Sequence, residues 1–82
     1  LVIAWNFQSE GWSGSISVYS AHGYPVRALI KNELLGTSGQ VSWKGVDESD
    51  RLLPSGIYII RMDVFNREGE TENHLIPCGL LR

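Results

Sequence analysis

The stretch SWKGVDESDRLLPSGIYIIRMDVF, from Ser42 to Phe65, contains the most informative pattern in the chain. A W-x-G pair precedes a polar turn and an L-x-P-x-G-x-Y pattern follows it; the six residues are Trp43, Gly45, Leu52, Pro54, Gly56 and Tyr58. In some two-sheet β-proteins, a Tyr near the start of a strand folds its hydroxyl back onto backbone a few residues upstream. Pro54 would set that bend by locking φ, and Gly56 by allowing an unusual φ. We therefore expect the ring of Tyr58 to fill the core and its hydroxyl to satisfy a backbone group.

Apolar residues alternate with polar ones along most of the chain, which is the period of a half-buried strand. Turn-forming residues recur about every ten positions, and no segment has helical periodicity over a useful length. The alternation assigns ten residues to one core: Trp5, Phe7, Ile16, Val18, Val41, Trp43, Tyr58, Ile60, Met62 and Val64. The sequence predicts an all-β sandwich of about seven antiparallel strands, formed as a single domain over residues 1–82.

Two segments depart from simple alternation. In VRALI, Val26 and Leu29 would both face the core only across a β-bulge. KNELLGTSG then reads as a nine-residue connection between strands, with the apolar pair Leu34 and Leu35 tucked beneath it.

The two ends of the chain should form exposed sheet edges. The last strand, from about Thr71 to Leu81, contains Pro77 and Gly79, which predicts an edge strand that is interrupted or bulged. The first strand, Leu1–Gln8, has no charged residue, and natural proteins usually protect an edge with charge, proline or cover. We therefore expect weak self-association through this first segment.

Composition excludes several classes of protein. The 82 residues are 43% hydrophobic and 20% charged, with a net charge of −2, so the chain has no basic surface for nucleic acid. No apolar run has the length of a membrane span. Cys78 is the only cysteine, so neither an internal disulfide nor a cysteine-based zinc site is possible. Because the chain begins with Leu1, we expect it to be a piece of a longer protein.

An acidic turn is the first candidate for a metal site. Asp47, Glu48 and Asp50 in DESD resemble the start of a calcium-binding loop. An EF-hand loop requires Gly at its sixth position and Glu at its twelfth, where this chain has Leu52 and Tyr58. A solvated turn without metal is therefore expected.

No set of residues predicts catalysis. Cys78 and His74 are four residues apart, which along a strand is roughly 13 Å and too far for direct contact unless the chain bends sharply. His22 and His74 lack the spacing of paired metal ligands. We expect no enzymatic activity, no catalytic residue, no bound metal and no cofactor.

Aromatic residues suggest an alternative role in ligand binding. Trp12 and Tyr24 are the two aromatic residues placed in predicted turns, whereas Trp5 and Trp43 lie on predicted core faces. Successive connections between antiparallel strands fall at opposite ends of a sandwich, so Trp12 and Tyr24 would not form one stacking platform. A glycan-binding module remains the alternative function.

The segment ISVYSAHGYPVRALIKNELLGTSGQVSWKGVDESDRLLPSGIYIIRMDVF, residues 16–65, shows a series of motifs in a fixed order. A strand ending in Tyr is followed by a turn with Gly, V-R-x-L, a loop ending in Gly, W-x-G, a polar turn and P-x-G-x-Y. This order resembles the immunoglobulin-like domain related to the flagellar hook-capping protein. That domain also occurs near the C-termini of many secreted or surface proteins of gliding bacteria, often ones exported by the type IX system.

Two features of this chain differ from the sequence pattern of that family. Asp50 stands where its members usually have Gly, and Asp tolerates left-handed backbone better than most residues. The upstream strand of many relatives, with its acidic S-P-D-x-D-G-like segment, is missing here, so any calcium role of that segment does not transfer.

The resemblance implies an immunoglobulin-like fold and a non-catalytic structural, sorting or surface-interaction role in a larger exported bacterial protein. The expected location is secreted or at the bacterial cell surface. The expected partners are the other domains of the parent chain and components of the cell surface or of secretion.

Overall fold

The computed structural model describes all 82 residues and contains six β-strands. They are β1 (Val2–Asn6), β2 (Ser13–Ser20), β3 (Pro25–Leu34), β4 (Ser38–Ser42), β5 (Gly56–Phe65) and β6 (Thr71–Leu80). All pairings are antiparallel and form two sheets, one of order β1–β4 and the other of order β3–β2–β5–β6. The all-β, two-sheet prediction is confirmed, with six strands where about seven were expected. No helix long and apolar enough to cross a membrane is present.

The central pair, β2 and β5, forms because both strands alternate apolar and polar residues in matching register. Ile16 lies opposite Met62, and Val18 lies opposite Ile60. Cross-strand neighbours share a face of the sheet, so these four side chains form one apolar layer directed at β1 and β4. Ile16 and Val18 are completely buried, which marks this pair as the centre of the core.

The core contains seven of the ten residues that alternation assigned to it. The other three, Trp5, Phe7 and Val41, are partly buried and pack against it. Three buried members were missing from that list: Ile3, Trp12 and Leu35. Trp12, which the sequence placed in a turn as a candidate for ligand stacking, is therefore a core residue. Trp12 immediately precedes β2, and its ring stacks on Phe7 with a centroid separation of 5.1 Å.

Strand β3 is longer than the sequence predicted. It continues through KNEL, so the predicted nine-residue connection is reduced to the three residues 35–37. The extension depends on irregular pairing with β2, including a positive φ of 49° at Asn32, whose N–H donates to Ser15 Oγ. Leu35 is buried but Leu34 is 70% exposed, so only one of the apolar pair lies beneath the connection. The bulges allow both Val26 and Leu29 to pack against the core, as expected.

The last strand lies at a sheet edge, as Pro77 indicated, but it is not interrupted. Strand β6 pairs with β5 in continuous register from Thr71, opposite Phe65, to Leu80, opposite Gly56. Pro77 is tolerated because an edge strand needs hydrogen bonds on only one side. The two-stranded sheet is too narrow to cover all four strands below it, and Ile76, on the inward face of β6, remains 49% exposed.

Candidate functional site

The six residues of the sequence pattern surround the connection between β4 and β5, which we call the corner (residues 43–58). Trp43 directly follows β4 and is buried. Its indole Nε1 donates a hydrogen bond to Val46 O at 3.0 Å. Its ring meets the ring of Tyr58 edge to face, with centroids 5.5 Å apart and an interplanar angle of 66°. The large residue that ends one sheet therefore packs on the residue near the start of a strand in the other.

Tyr58 occupies the position that the pattern predicted for it. It is the third residue of β5, and its ring is buried. Its hydroxyl Oη donates a hydrogen bond to Pro54 O at 2.8 Å. The ring therefore fills the core while the hydroxyl pairs with a backbone carbonyl that lies away from the strands.

Gly45 is the point at which the chain turns out of the first sheet. Its φ is +73°, a left-handed conformation that other residues adopt at a cost. Gly45 O accepts a hydrogen bond from Leu53 N, which closes the base of the connection. The guanidinium of Arg82 also binds here, donating to Gly45 O and to Leu53 O.

The remaining pattern residues have more limited contacts. Leu52 is 71% exposed, and its neighbour Leu53 is the one that packs against the core. Adjacent residues on an extended chain face opposite ways, so Leu52, the first residue of the pattern, faces away from the core. Gly56 begins β5 with a φ of 159°, close to extended backbone.

The polar turn within the corner is held by its own side chains. Val46 and Leu52 form an isolated bridge, and Asp47 Oδ1 accepts hydrogen bonds from the N–H groups of Ser49 and Arg51. The bond from Arg51 is the main reason that the pKa of Asp47 lies below its ordinary value of 3.8. Asp50 adopts a φ of +60°, a left-handed conformation that Asp tolerates better than most residues.

The turn also docks on the outer edge of β3, a contact that the sequence did not predict. Arg27 Nη1 donates to Asp47 O at 2.6 Å and to Asp50 Oδ1 at 3.0 Å. Glu48 Oε1 accepts a hydrogen bond from Ala28 N at 2.6 Å. The partners of Arg27 and Ala28 lie twenty or more residues away in sequence, so no local pattern indicated these contacts.

The acidic residues of DESD therefore bind protein groups rather than converging on one point. Asp47 caps backbone of its own turn, Glu48 reaches β3, and Asp50 pairs with Arg27. No three His, Cys, Asp or Glu side chains anywhere in the chain are grouped as metal ligands.

The other candidate chemical groups lie apart from the corner turn. His74 Nε2 lies 3.0 Å from Glu72 Oε1, and His22 is exposed in the turn between β2 and β3. Cys78 lies four residues after His74 on the same unbroken strand, and partial burial raises the pKa of its thiol. No nucleophile, base and orienting group are brought together.

The two aromatic residues considered for ligand stacking have different environments. Trp12 is buried, with its indole N–H donating to Ser9 Oγ, whereas Tyr24 is 71% exposed. A stacking platform needs accessible faces on neighbouring rings. These two residues do not supply one.

The corner is a connection between the two sheets that is held by hydrogen bonds and by the contact of Trp43 with Tyr58. Comparisons with protein-family models, with curated proteins and with solved structures found no match to this chain.

Proposed function

We propose that this chain is a non-catalytic, immunoglobulin-like module of a larger exported bacterial protein. Its role is structural, in sorting, or in surface interaction, beside other domains of the same polypeptide and components of the cell surface or of secretion. The observation that carries the proposal is the hydrogen bond from Tyr58 Oη to Pro54 O near the start of β5. A tyrosine corner at this place is typical of immunoglobulin-like sandwiches.

The strand order supports the same fold family. In an immunoglobulin sandwich, strand B pairs with E in one sheet, while C′, C, F and G are neighbours in the other. The six strands here, in chain order, take the places of B, C, C′, E, F and G, since β1 pairs with β4 and the second sheet is β3–β2–β5–β6. On this assignment Tyr58 lies near the start of strand F, where the tyrosine corner belongs. Strands A and D have no counterpart among residues 1–82.

A non-catalytic role is supported by how the polar groups are used. The carboxylates of the corner are engaged by backbone N–H groups or by Arg27, and the hydroxyl of Tyr58 by a carbonyl. Groups engaged in this way position the backbone and are poorly placed to bind a substrate. Export is supported by the resemblance of residues 16–65 alone.

The location is tested on the native protein in its own cells. Antibodies raised against the 82-residue domain are used on intact cells, on protease-treated intact cells and on the medium. We expect the signal to be in the medium or to be removed by protease while a cytoplasmic marker stays intact. A signal that is lost only after the cells are lysed would refute export.

A further inference from the structure

The end of the molecule opposite the corner carries a polar cavity, which we call the loop cavity. Three connections between strands meet at this end: residues 7–12, 35–37 and 66–70. The cavity has a volume of about 510 Å³, within the range of small-ligand sites. Among its walls are Glu10, Gly11, Leu34, Thr37, Arg67 and Glu68. All three connections are internal to the chain, so the walls of the cavity are complete within the 82 residues.

Two of the three connections are joined by backbone hydrogen bonds. Leu35 N donates to Trp12 O at 2.9 Å, and Phe7 N donates to Thr37 O at 2.6 Å. Trp12 and Leu35 are buried, so the core itself holds this side of the cavity. The positions of Gly11 and Thr37 are therefore fixed by the fold.

The third connection is held by one buried polar side chain. Asn66 Oδ1 accepts hydrogen bonds from the N–H groups of Glu68 and Glu70, and Asn66 Nδ2 donates to Glu70 Oε1. The side chain of Arg67 then extends across Gly11, where an added Cβ would lie 3.8 Å from Arg67 Cγ. A site that is formed before its ligand arrives has a smaller entropic cost of binding.

The polar side chains of the loop cavity are not used by the protein. None of the three ion pairs of the chain includes Arg67, Glu10 or Glu68, although these opposite charges line one cavity. Their charged groups and the hydroxyl of Thr37 make no hydrogen bond within the chain. The carboxylates of the corner turn differ, because each is engaged by backbone or by Arg27. Groups left free around a cavity are placed to bind a ligand.

The kinds of free group indicate the chemistry of that ligand. A guanidinium only donates hydrogen bonds, an ionised carboxylate only accepts them, and a hydroxyl does both. An anion at Arg67 would lie near two carboxylates, and a cation at the carboxylates would lie near Arg67. A neutral molecule with several hydroxyl groups meets no such repulsion and can satisfy every one of these side chains, since each hydroxyl both donates and accepts.

Leu34 adds an apolar wall to this polar set. It lies opposite Ser13 at the end of β3 and is 70% exposed. A sugar ring has hydroxyl groups around its rim and C–H groups on its faces. It can therefore hydrogen-bond to the polar walls while one face packs on Leu34, which an open-chain polyol does less well.

We propose that the loop cavity binds one neutral sugar unit of a glycan. Arg67 donates hydrogen bonds to the sugar hydroxyls, Glu10 and Glu68 accept hydrogen bonds from them, and Thr37 does either. The assignment rests on the three connections and their free side chains and not on export of the protein, so the two proposals can fail separately.

Binding is tested by NMR titration of the ¹⁵N-labelled 82-residue chain. The probes are the methyl glycosides of glucose, mannose and galactose, together with N-acetylglucosamine. We expect at least one of them to give saturable shifts confined to the amides of residues 7–12, 34–37 and 66–70. Its affinity should be unchanged between low and high salt, because a neutral ligand carries no charge to be screened.

The site is tested with two variants and a matched control. Arg67→Met keeps the side-chain stem but removes the donors, and should weaken binding at least about tenfold. Thr37→Val keeps the shape of the side chain without its hydroxyl, and should weaken binding about threefold or more. Arg51→Met makes the same change as the first variant in the corner turn, and should leave the affinity within about twofold of the parent. The spectra report folding directly, and Glu10→Leu is a second disruption if Arg67→Met does not fold.

Three outcomes would overturn the proposal. The first is the absence of shifts with all four sugars up to their solubility limits. The second is an affinity that Arg67→Met leaves unchanged, which would place the sugar elsewhere on the protein. The third is binding of only the charged sugars glucuronate or glucosamine, with an affinity that falls as salt is added, because the site would then recognise an ion.

Discussion

The two sheets end differently at opposite sides of the molecule. At the outer edge of β3, Glu48 accepts a hydrogen bond from Ala28 N, and Arg27 joins the strand to the polar turn. At the outer edge of β1, no side chain or loop of residues 1–82 makes a hydrogen bond to the backbone of Val2–Asn6. Within residues 1–82, the corner turn thus covers the edge of β3 at Arg27 and Ala28, and the edge of β1 has no such contact. Because unprotected edges invite pairing, substitutions at the two edges should have different effects.

The stability of the corner, whose turn contacts the edge of β3, should depend most strongly on Tyr58. Tyr58→Ala removes a buried ring in contact with Trp43 and should lower the free energy of unfolding by about 3–5 kcal/mol. Tyr58→Phe keeps the ring, leaves Pro54 O unpaired and should cost about 1–2 kcal/mol. Chemical denaturation of both variants measures the two values. A Tyr58→Ala protein that melts within a degree or two of the parent would show that the corner does not hold the sheets together.

Gly45→Ala should have the next largest effect. The left-handed φ of 73° costs a side-chain residue about 1–2 kcal/mol, and the added Cβ would displace the side chains of Arg82 and Leu80. The change is measured by thermal unfolding. Gly69→Ala is a matched control, because Gly69 has a similar φ of 83° but open space at its Cβ. A cost for Gly45→Ala no greater than for Gly69→Ala would mean that the Arg82 contact is unimportant.

Weakening the contacts between the corner turn and β3 should make the edge of β3 more accessible to other strands. Arg27→Met keeps much of the side-chain bulk but loses the bonds to Asp47 O and Asp50, which should cost about 1 kcal/mol. It should also increase self-association, because the β3 edge becomes accessible. Sedimentation over a range of concentrations measures this. Lys31→Met, on the same strand but without a hydrogen bond to the turn, controls for the loss of charge. Its self-association should equal that of the parent.

Acid should loosen the polar turn before the rest of the domain. The pKa of Asp47 is lowered in the folded protein, so its stabilising contribution is complete above the ordinary value of 3.8 and is lost as the pH falls through the folded value. Asp47→Asn should therefore flatten the decline of the melting temperature below about pH 4. An unchanged pH profile would show that the hydrogen bonds from Ser49 and Arg51 do not distinguish carboxylate from amide.

The smallest change in stability is expected at the open edge. Ala4 is exposed and has no role in the core, so Ala4→Lys should change the free energy of unfolding by no more than about 0.5 kcal/mol. Equilibrium denaturation measures this value. A larger loss would mean that the edge is already committed to a contact within the domain. Weak self-association through Leu1–Gln8 stays a prediction that the same sedimentation series examines.

Local sequence patterns predicted the structural features that depend on residues close together in the chain. Alternation placed Ile16, Val18, Ile60 and Met62 in the core because a strand repeats every two residues. The spacing from Pro54 to Tyr58 predicted the hydroxyl contact because it spans only four residues.

Contacts between distant segments were not predictable in the same way. Arg27 and Glu48 meet their partners only after the turn folds against β3, and Arg82 crosses to the corner from the end of the chain. Trp12 resembled a turn residue because its neighbours are Gly and Ser, and its burial depends on stacking with Phe7. The uncovered face of β6 follows from the unequal widths of the two sheets, which no single strand encodes.

The edge-to-face contact of Trp43 with Tyr58 has a spectroscopic consequence. At a centroid separation of 5.5 Å, excitation of the phenol ring passes to the indole by resonance energy transfer, so Tyr58 emits little light of its own in the native protein. Opening of the corner separates the two rings and restores tyrosine emission. The difference between the parent and Tyr58→Phe isolates this signal from Tyr19 and Tyr24. The protein thus carries an intrinsic, label-free fluorophore pair that reports when its two sheets part.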